Sequence, residues 1–281
     1  MNRIRGSPSG ICDLTHGAIG KQLLSFALPL FIGSLIQLLY NAVDLIFVGR
    51  ILGKEASAAV GSSSLIVTCI LGFFTGLGAG VVAAQAVGSG QKEKLDRIIH
   101  CAAGLTAVLA GVCTVLGFVM APLFLTWMST PEDVMDSAVV YIRLYLLSLI
   151  AIVSYNIGSG LLRAFGNSRL PMLYQLAGGL TNVAGNTLFI YVLGWGVRGA
   201  ALSTACSQGL AAFLTVRRLC IGTGSCRLRL RQICIDRNIC GQFLSIGIPA
   251  AVQSIVITLS NILVQTNINR LGVDSMAAFT A

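Results

Sequence analysis

The sequence predicts an all-α polytopic membrane protein: a six-helix N-terminal lobe followed by the first helix of a parallel second repeat. Three observations carry this. Hydrophobic residues make up 55% of the 281 and charged residues only 10%, whereas a soluble domain carries about 25% charged residues. Long apolar stretches recur along the whole chain, each near the roughly 20 residues that a bilayer-crossing helix needs. The beginning of the chain also reappears 220 positions later, which is the mark of an internal repeat.

The chain opens on a polar, basic segment, residues 1–20, with no apolar core of the kind a cleavable leader carries; it reads as a cytoplasmic tail. Seven spans follow at roughly 22–49, 56–87, 98–127, 138–162, 170–193, 196–218 and 239–266, and an eighth begins at "SMAAFTA". Residues 21–220 form the six-helix lobe, 221–238 a basic cytoplasmic loop, and 239–281 the start of the second lobe. Many of the 32 glycines fall inside spans, where small residues let helix backbones approach in lipid.

The repeat is visible in "QLLSFALP" at 22–29 against "QFLSIGIP" at 242–249. Pro29, Ser34, Asn41 and Arg50 meet Pro249, Ser254, Asn261 and Arg270 in register. An even number of crossings separates the two spans, so they run in the same direction. Two such units imply roughly 440 residues, and on that expectation the chain stops early in its second unit.

Loop charge orients the lobe. With the N-terminus inside, fourteen basic residues lie on the cytoplasmic side, among them Lys92, Lys94, Arg97, Arg163, Arg169 and the run from Arg227 to Arg237. The opposite side keeps five: Arg50, Lys54, Arg143, Arg198 and Arg270. This follows the positive-inside rule. The net charge of +9 is therefore spent on topology, and nucleic acid is not an expected partner.

The spans carry polar stripes. Gln37, Tyr40, Asn41 and Asp44 share one face of span 1. Gln175, Asn182 and Asn186 form a stripe in span 5, Thr204 and Gln208 in span 6, and Tyr141, Tyr145, Ser148 and Tyr155 in span 4. Lone Ser, Thr or Asn side chains in membrane helices usually tie helices together, at about 1 kcal/mol each. Asp44 is different. An acid at that depth is paired or protonated, and spans 1, 5 and 6 offer no intramembrane Lys or Arg. A carboxylate that takes up and releases a proton or cation is the role its position predicts. Pro29 in the same span removes a helix hydrogen bond and permits a kink, so it is a candidate hinge.

Other signals point away from enzymes. "TGLGAGVVAAQ" imitates a dinucleotide-binding glycine pattern, but no strand precedes it. Cys220, Cys226, Cys234 and Cys240 surround the basic loop without the paired spacing of a zinc site; they read as reduced cytoplasmic thiols. The two histidines, His16 and His100, are expected near the cytoplasmic surface. No catalytic residue, resident metal or cofactor is predicted.

Taken in order, "LPLFIGSLIQLLYNAVDLIFVGRILG", "GLGAGVVAAQAVGSGQKEKL", "SGLLRAFGNSRLPM", "TNVAGNTLFI", "WGVRGAALSTACSQ" and "GIPAAVQSIVITLSNILVQTNINRLG" resemble the multidrug and toxic compound extrusion (MATE) family across essentially the whole chain. The resemblance implies two six-helix lobes alternating between inward and outward openings. Drugs, organic cations or metabolites would leave as protons or sodium enter. It also implies a plasma-membrane location, a monomer when complete, and no partner beyond lipid and a small cationic solute. By position it makes Asp44 the coupling acid, with Asn182, Asn186 and Thr204 as its pocket partners and Gln37, Tyr40 and Asn41 along the path. Many members carry a second acid where this chain has Asn186, so the single acid favours a proton over sodium. The repeat counterpart of Asp44 is Val264, which keeps coupling in the first lobe. The competing expectations are a lipid-linked precursor flippase on the same plan, an inert fragment, and a seven-helix receptor. The flippase reading lacks a ring of cavity cations, and the receptor reading conflicts with the repeat.

Overall fold

A computed structural model describes residues 19–53, 56, 60–61, 78–222, 227–271, 275 and 279. The N-terminal tail up to residue 18, most of the second span and nearly all of the eighth lie outside the described residues. Helix α1 (Ile19–Phe47) continues into a π-helical stretch, Val48–Leu52. Then come α2 (Ala79–Gly88), α3 (Lys92–Trp127), α4 (Glu132–Leu147), α5 (Leu149–Ala164) and α6 (Arg169–Asn186). A second π-helical stretch, Thr187–Val192, ends α6. Helices α7 (Gly196–Ile221) and α8 (Arg237–Asn269) complete the order, with a 3-10 turn at Leu230–Gln232 between them.

Four of these helices, α1 with its extension, α3, α7 and α8, are long and apolar enough to cross a membrane, and the α4–α5 pair makes a fifth. The fold is thus all-helical among the described residues. The expected single span at 138–162 is instead two helices bent by 47°. The break falls at Ser148, whose hydroxyl donates to the Tyr145 carbonyl at 2.6 Å; a side chain competing for ladder acceptors is a known cause of bending. The expected span at 170–193 is helical but less apolar than those four, because Gln175, Asn182 and Asn186 are polar. All three are buried. α6 is shielded by its neighbours, packing most extensively on α7 and α1.

Burial follows the logic of a lipid solvent. The main core joins α2, α3, α4, α5 and the start of α8 through Ile98, Ile99, Leu125, Ile142, Leu149 and Phe243. Apolar side chains also cover the outside, as with Leu23, Leu28, Leu38 and Leu39 of α1. Outward Leu costs nothing in hydrocarbon, so helix contact rests on close packing and hydrogen bonds. Gly80 and Gly160 show this directly: a Cβ on Gly80 would stand 3.2 Å from the Gly160 backbone, where α2 meets α5.

α8 packs on α3 and α2. Asp236 caps it, accepting from the Asn238 and Ile239 amides at 2.9 and 3.4 Å. At its far end the Asn269 amide donates to the Met128 carbonyl at 2.8 Å. Like α1, it carries an internal proline, Pro249 at the repeat position of Pro29.

His100, expected near the cytoplasmic face, is buried within the protein at 2% exposure. Its Nδ1 lies 2.7 Å from the Asp96 carbonyl, and its Nε2 accepts the Arg229 backbone amide at 3.0 Å. The loop before α8 is thereby held onto α3. Among the described residues the loop's cysteines do not gather as one group. Cys240 instead meets Cys101 of α3, sulfur to sulfur at 3.4 Å, and Cys226 lies outside the described residues.

Candidate functional site

Three helices bring the predicted residues together. α6 presents Asn182 and Asn186 one turn apart on the same face, and Gly185 permits the approach of α7, since a Cβ there would stand 2.6 Å from Ser203 Oγ. α7 contributes Thr204, and α1 contributes Asp44.

The Asn186 side-chain amide donates to Asp44 Oδ1 at 2.7 Å and to Asn182 Oδ1 at 3.2 Å. The Asn182 amide in turn donates to Thr204 Oγ1 at 3.4 Å, and Thr204 donates to the Ala200 carbonyl at 3.2 Å. Ser203 donates to the Asn182 backbone carbonyl at 2.7 Å and fixes the α6–α7 register at this level. Asn182 and Asn186 are almost fully buried, and Asp44 is half-buried. Among the described residues no basic side chain pairs with Asp44. The chain of amides ends at one unused acceptor: Asn186 Oδ1 is buried and has no partner. A carboxyl group and a free carbonyl oxygen therefore share one residue pair, an arrangement able to hold a proton, a water or a small cation.

The other three α1 residues separate. Tyr40 is buried, and its hydroxyl accepts from the Gln175 and Gln208 amides at 3.3 and 3.2 Å. It therefore ties α1 to α6 and α7. Gly179 makes room for its ring, with a notional Cβ 3.3 Å from Tyr40 Cδ1. Gln37 and Asn41 are exposed. Pro29 lies buried within α1, which is helical from Ile19 to Phe47.

Sequence reasoning marked Gln175, Gln208, Tyr141 and Tyr145 as polar stripes but assigned none of them to the site. Tyr141 is buried with Val48 of the α1 extension, and Tyr145 packs against the same cluster, their rings 6.0 Å apart. Their i, i+4 spacing was the available signal; which helix they face is a matter of packing.

Comparison with known proteins agrees with this architecture. The MatE family model matches residues 29–188, a stretch that includes Asp44, Asn182 and Asn186. The probable multidrug resistance protein YpnP of Bacillus subtilis is 28% identical over 276 residues, covering 96% of this chain and 60% of its own length. Two solved structures of a multidrug resistance MATE family transporter of the MOP superfamily also align, each at 27% identity. The inward-facing one has a TM-score of 0.81 over 90% of this chain and 59% of its own, and the outward-facing one 0.82 over 91% and 57%. The chain spans about 60% of the length of the relative it matches. With a family match across more than half of its residues and a lobe that superposes on both transporter conformations, the chain belongs to the MatE family of multi-pass membrane transporters.

Proposed function

We propose that this chain supplies the coupling lobe of a secondary active exporter, in which Asp44 exchanges a proton as a drug, organic cation or metabolite is moved. The observation that carries the reading is the Asp44–Asn186 contact at 2.7 Å: an acid inside a membrane helix, held by a neutral amide and by no basic side chain among the described residues. Such an acid is expensive to bury, and at membrane depth it marks a functional site by default. Asn182, Asn186 and Thr204 orient it, and the exposed Gln37 and Asn41 are the α1 groups open to a solute. Tyr40 acts as a tie between helices more than as a wall of the path. The lobe aligns equally with an inward- and an outward-facing structure, which supports its moving as one unit. The excess of basic residues in the loops on one side supports a cytoplasmic N-terminus, and the plasma membrane is the location that goes with export from the cell.

A second reading, sodium in place of the proton, is favoured by the unpartnered Asn186 Oδ1, since hard cations take oxygen ligands. Solute efflux from proteoliposomes, measured on the protein that joins this lobe to a second one, separates the two. A proton gradient alone is expected to drive efflux and a sodium gradient alone to leave it near background. The reverse result would assign the ion to sodium, and efflux indifferent to both gradients would remove the coupling role.

A further inference from the structure

The loop between α7 and α8 is seated against the first turns of α3. Leu228 is buried, and its amide donates to the Leu219 carbonyl at 3.0 Å. The Arg229 amide donates to His100 Nε2 at 3.0 Å. The loop then runs further along α3: a Cβ on Gly104 would stand 2.8 Å from the Cys234 carbonyl oxygen and 3.2 Å from Ile233 Cγ2. It returns at Cys101, whose thiol donates to the Asp236 carbonyl at 3.7 Å. Gly104 lies four residues beyond His100, about 6 Å deeper into the apolar run of α3 at the helical rise per residue.

Two kinds of side chain stand out from this seat. Arg227, Arg229 and Arg231 are exposed, and none forms an ion pair among the described residues. Leu230, Ile233 and Ile235 are exposed as well, at 63%, 41% and 59%. The acid of the stretch, Asp236, is engaged in capping α8. Arg227 Nε donates to the Cys220 carbonyl at 3.0 Å and Arg229 Nη1 to Gln232 Oε1 at 3.3 Å, which orients both guanidinium groups without neutralising them. The two isoleucines flank the dip at Gly104. Irregular backbone is not tolerated against hydrocarbon, so a loop at this level beside a membrane-crossing helix lies where headgroups meet acyl chains. A topology signal needs only the charges; it does not need three large apolar side chains held at that boundary.

We propose that residues 227–235 form a docking surface for anionic phospholipid. Arg227, Arg229 and Arg231 donate to headgroup phosphates, and Leu230, Ile233 and Ile235 enter the edge of the acyl layer. Charge and depth together select this occupant. Basic segments next to a membrane helix attract anionic lipid, and the planar fork of a guanidinium matches phosphate oxygens. An acidic protein would satisfy the arginines but not the position of the isoleucines beside α3. The surface stands on the seat of the loop and does not depend on the role of Asp44.

The test is quenching of a tryptophan placed in the loop, Ile235→Trp, by phospholipids brominated in their acyl chains, in nanodiscs holding the purified 281-residue chain. The chain without that substitution, with Trp127 and Trp195 alone, supplies the background. Brominated phosphatidylglycerol should quench the new tryptophan at a mole fraction about threefold lower than brominated phosphatidylcholine, and added salt should narrow the difference. Arg229→Gln and Arg231→Gln together should abolish the preference, and Arg198→Gln, at the opposite end of α7, should leave it unchanged. Gly104→Ala, which pushes the Cys234 carbonyl away from α3, should weaken quenching by both lipids alike. The charge substitutions sit on exposed side chains, so they report on the surface even if Gly104→Ala misfolds. Equal quenching by the two lipids, a preference that survives the double arginine substitution, or no quenching by either, as for a loop that faces water or protein, would overturn the proposal.

Discussion

Asp44 and Asn186 meet at 2.7 Å across α1 and α6, at the level where both helices widen. The π-helical stretch of α1 begins four residues after Asp44, at Val48, and that of α6 begins directly after Asn186, at Thr187. Isolated π turns are rare and concentrate at functional sites. Here they place the acid and its amide beside two segments whose backbone ladders are already loosened.

Asp44→Asn keeps the shape of the side chain and removes the charge. The expected outcome is more than a tenfold loss of gradient-driven efflux at unchanged membrane insertion, read in proteoliposomes and by detergent-extracted yield. Wild-type efflux in this variant would eliminate Asp44 as the coupling group.

Asn186→Asp restores a second carboxylate. Two charges about 4 Å apart repel by about 4 kcal/mol at an effective dielectric of 20, so a cation between them becomes favourable. Sodium, compared with potassium, should raise the melting temperature of this variant and leave the wild type unchanged. An equal sodium response in the wild type would show that one acid and neutral oxygens suffice.

Gly185→Ala puts a Cβ 2.6 Å from Ser203 Oγ. Either α7 moves away or Ser203 turns and releases the Asn182 carbonyl. Overpacking of this kind costs about 1–3 kcal/mol, and a lower melting temperature with reduced efflux is expected. Pairing it with Ser203→Ala should recover part of the melting temperature; no recovery would place the strain elsewhere.

His100→Ala removes the acceptor for the Arg229 amide. Losing a part-buried hydrogen bond costs about 1 kcal/mol, and the loop around Arg227, Arg229 and Arg231 should be cut faster by trypsin. Cleavage at the wild-type rate would mean that Leu228, buried and bonded to the Leu219 carbonyl at 3.0 Å, holds the loop alone.

Orientation has its own check. Cysteines engineered beside Glu132 or Arg198 should react with an impermeant maleimide in intact cells, and those beside Lys92 or Arg229 should not. Labelling at Arg229 would invert the topology.

Sequence by itself determined the helical class, the apolar spans at 22–49, 98–127, 196–218 and 239–266, the proline-marked similarity between the first and last of them and the identity of the isolated acid, because these depend on composition, period and spacing along one chain. It also marked Asn182, Asn186 and Thr204, since polar residues inside an apolar helix stand out from their surroundings. Which polar face meets which was decided only by tertiary structure. Tyr40 and Asn41 are neighbours in sequence, yet one is buried between two glutamines and the other is exposed. The bend at Ser148, the burial of His100 and the seat of the loop beside Gly104 are likewise products of packing. A helix's period states which residues share a face, but in lipid an apolar face and a buried face are no longer the same thing. Only close packing and hydrogen bonds between helices then choose the neighbours.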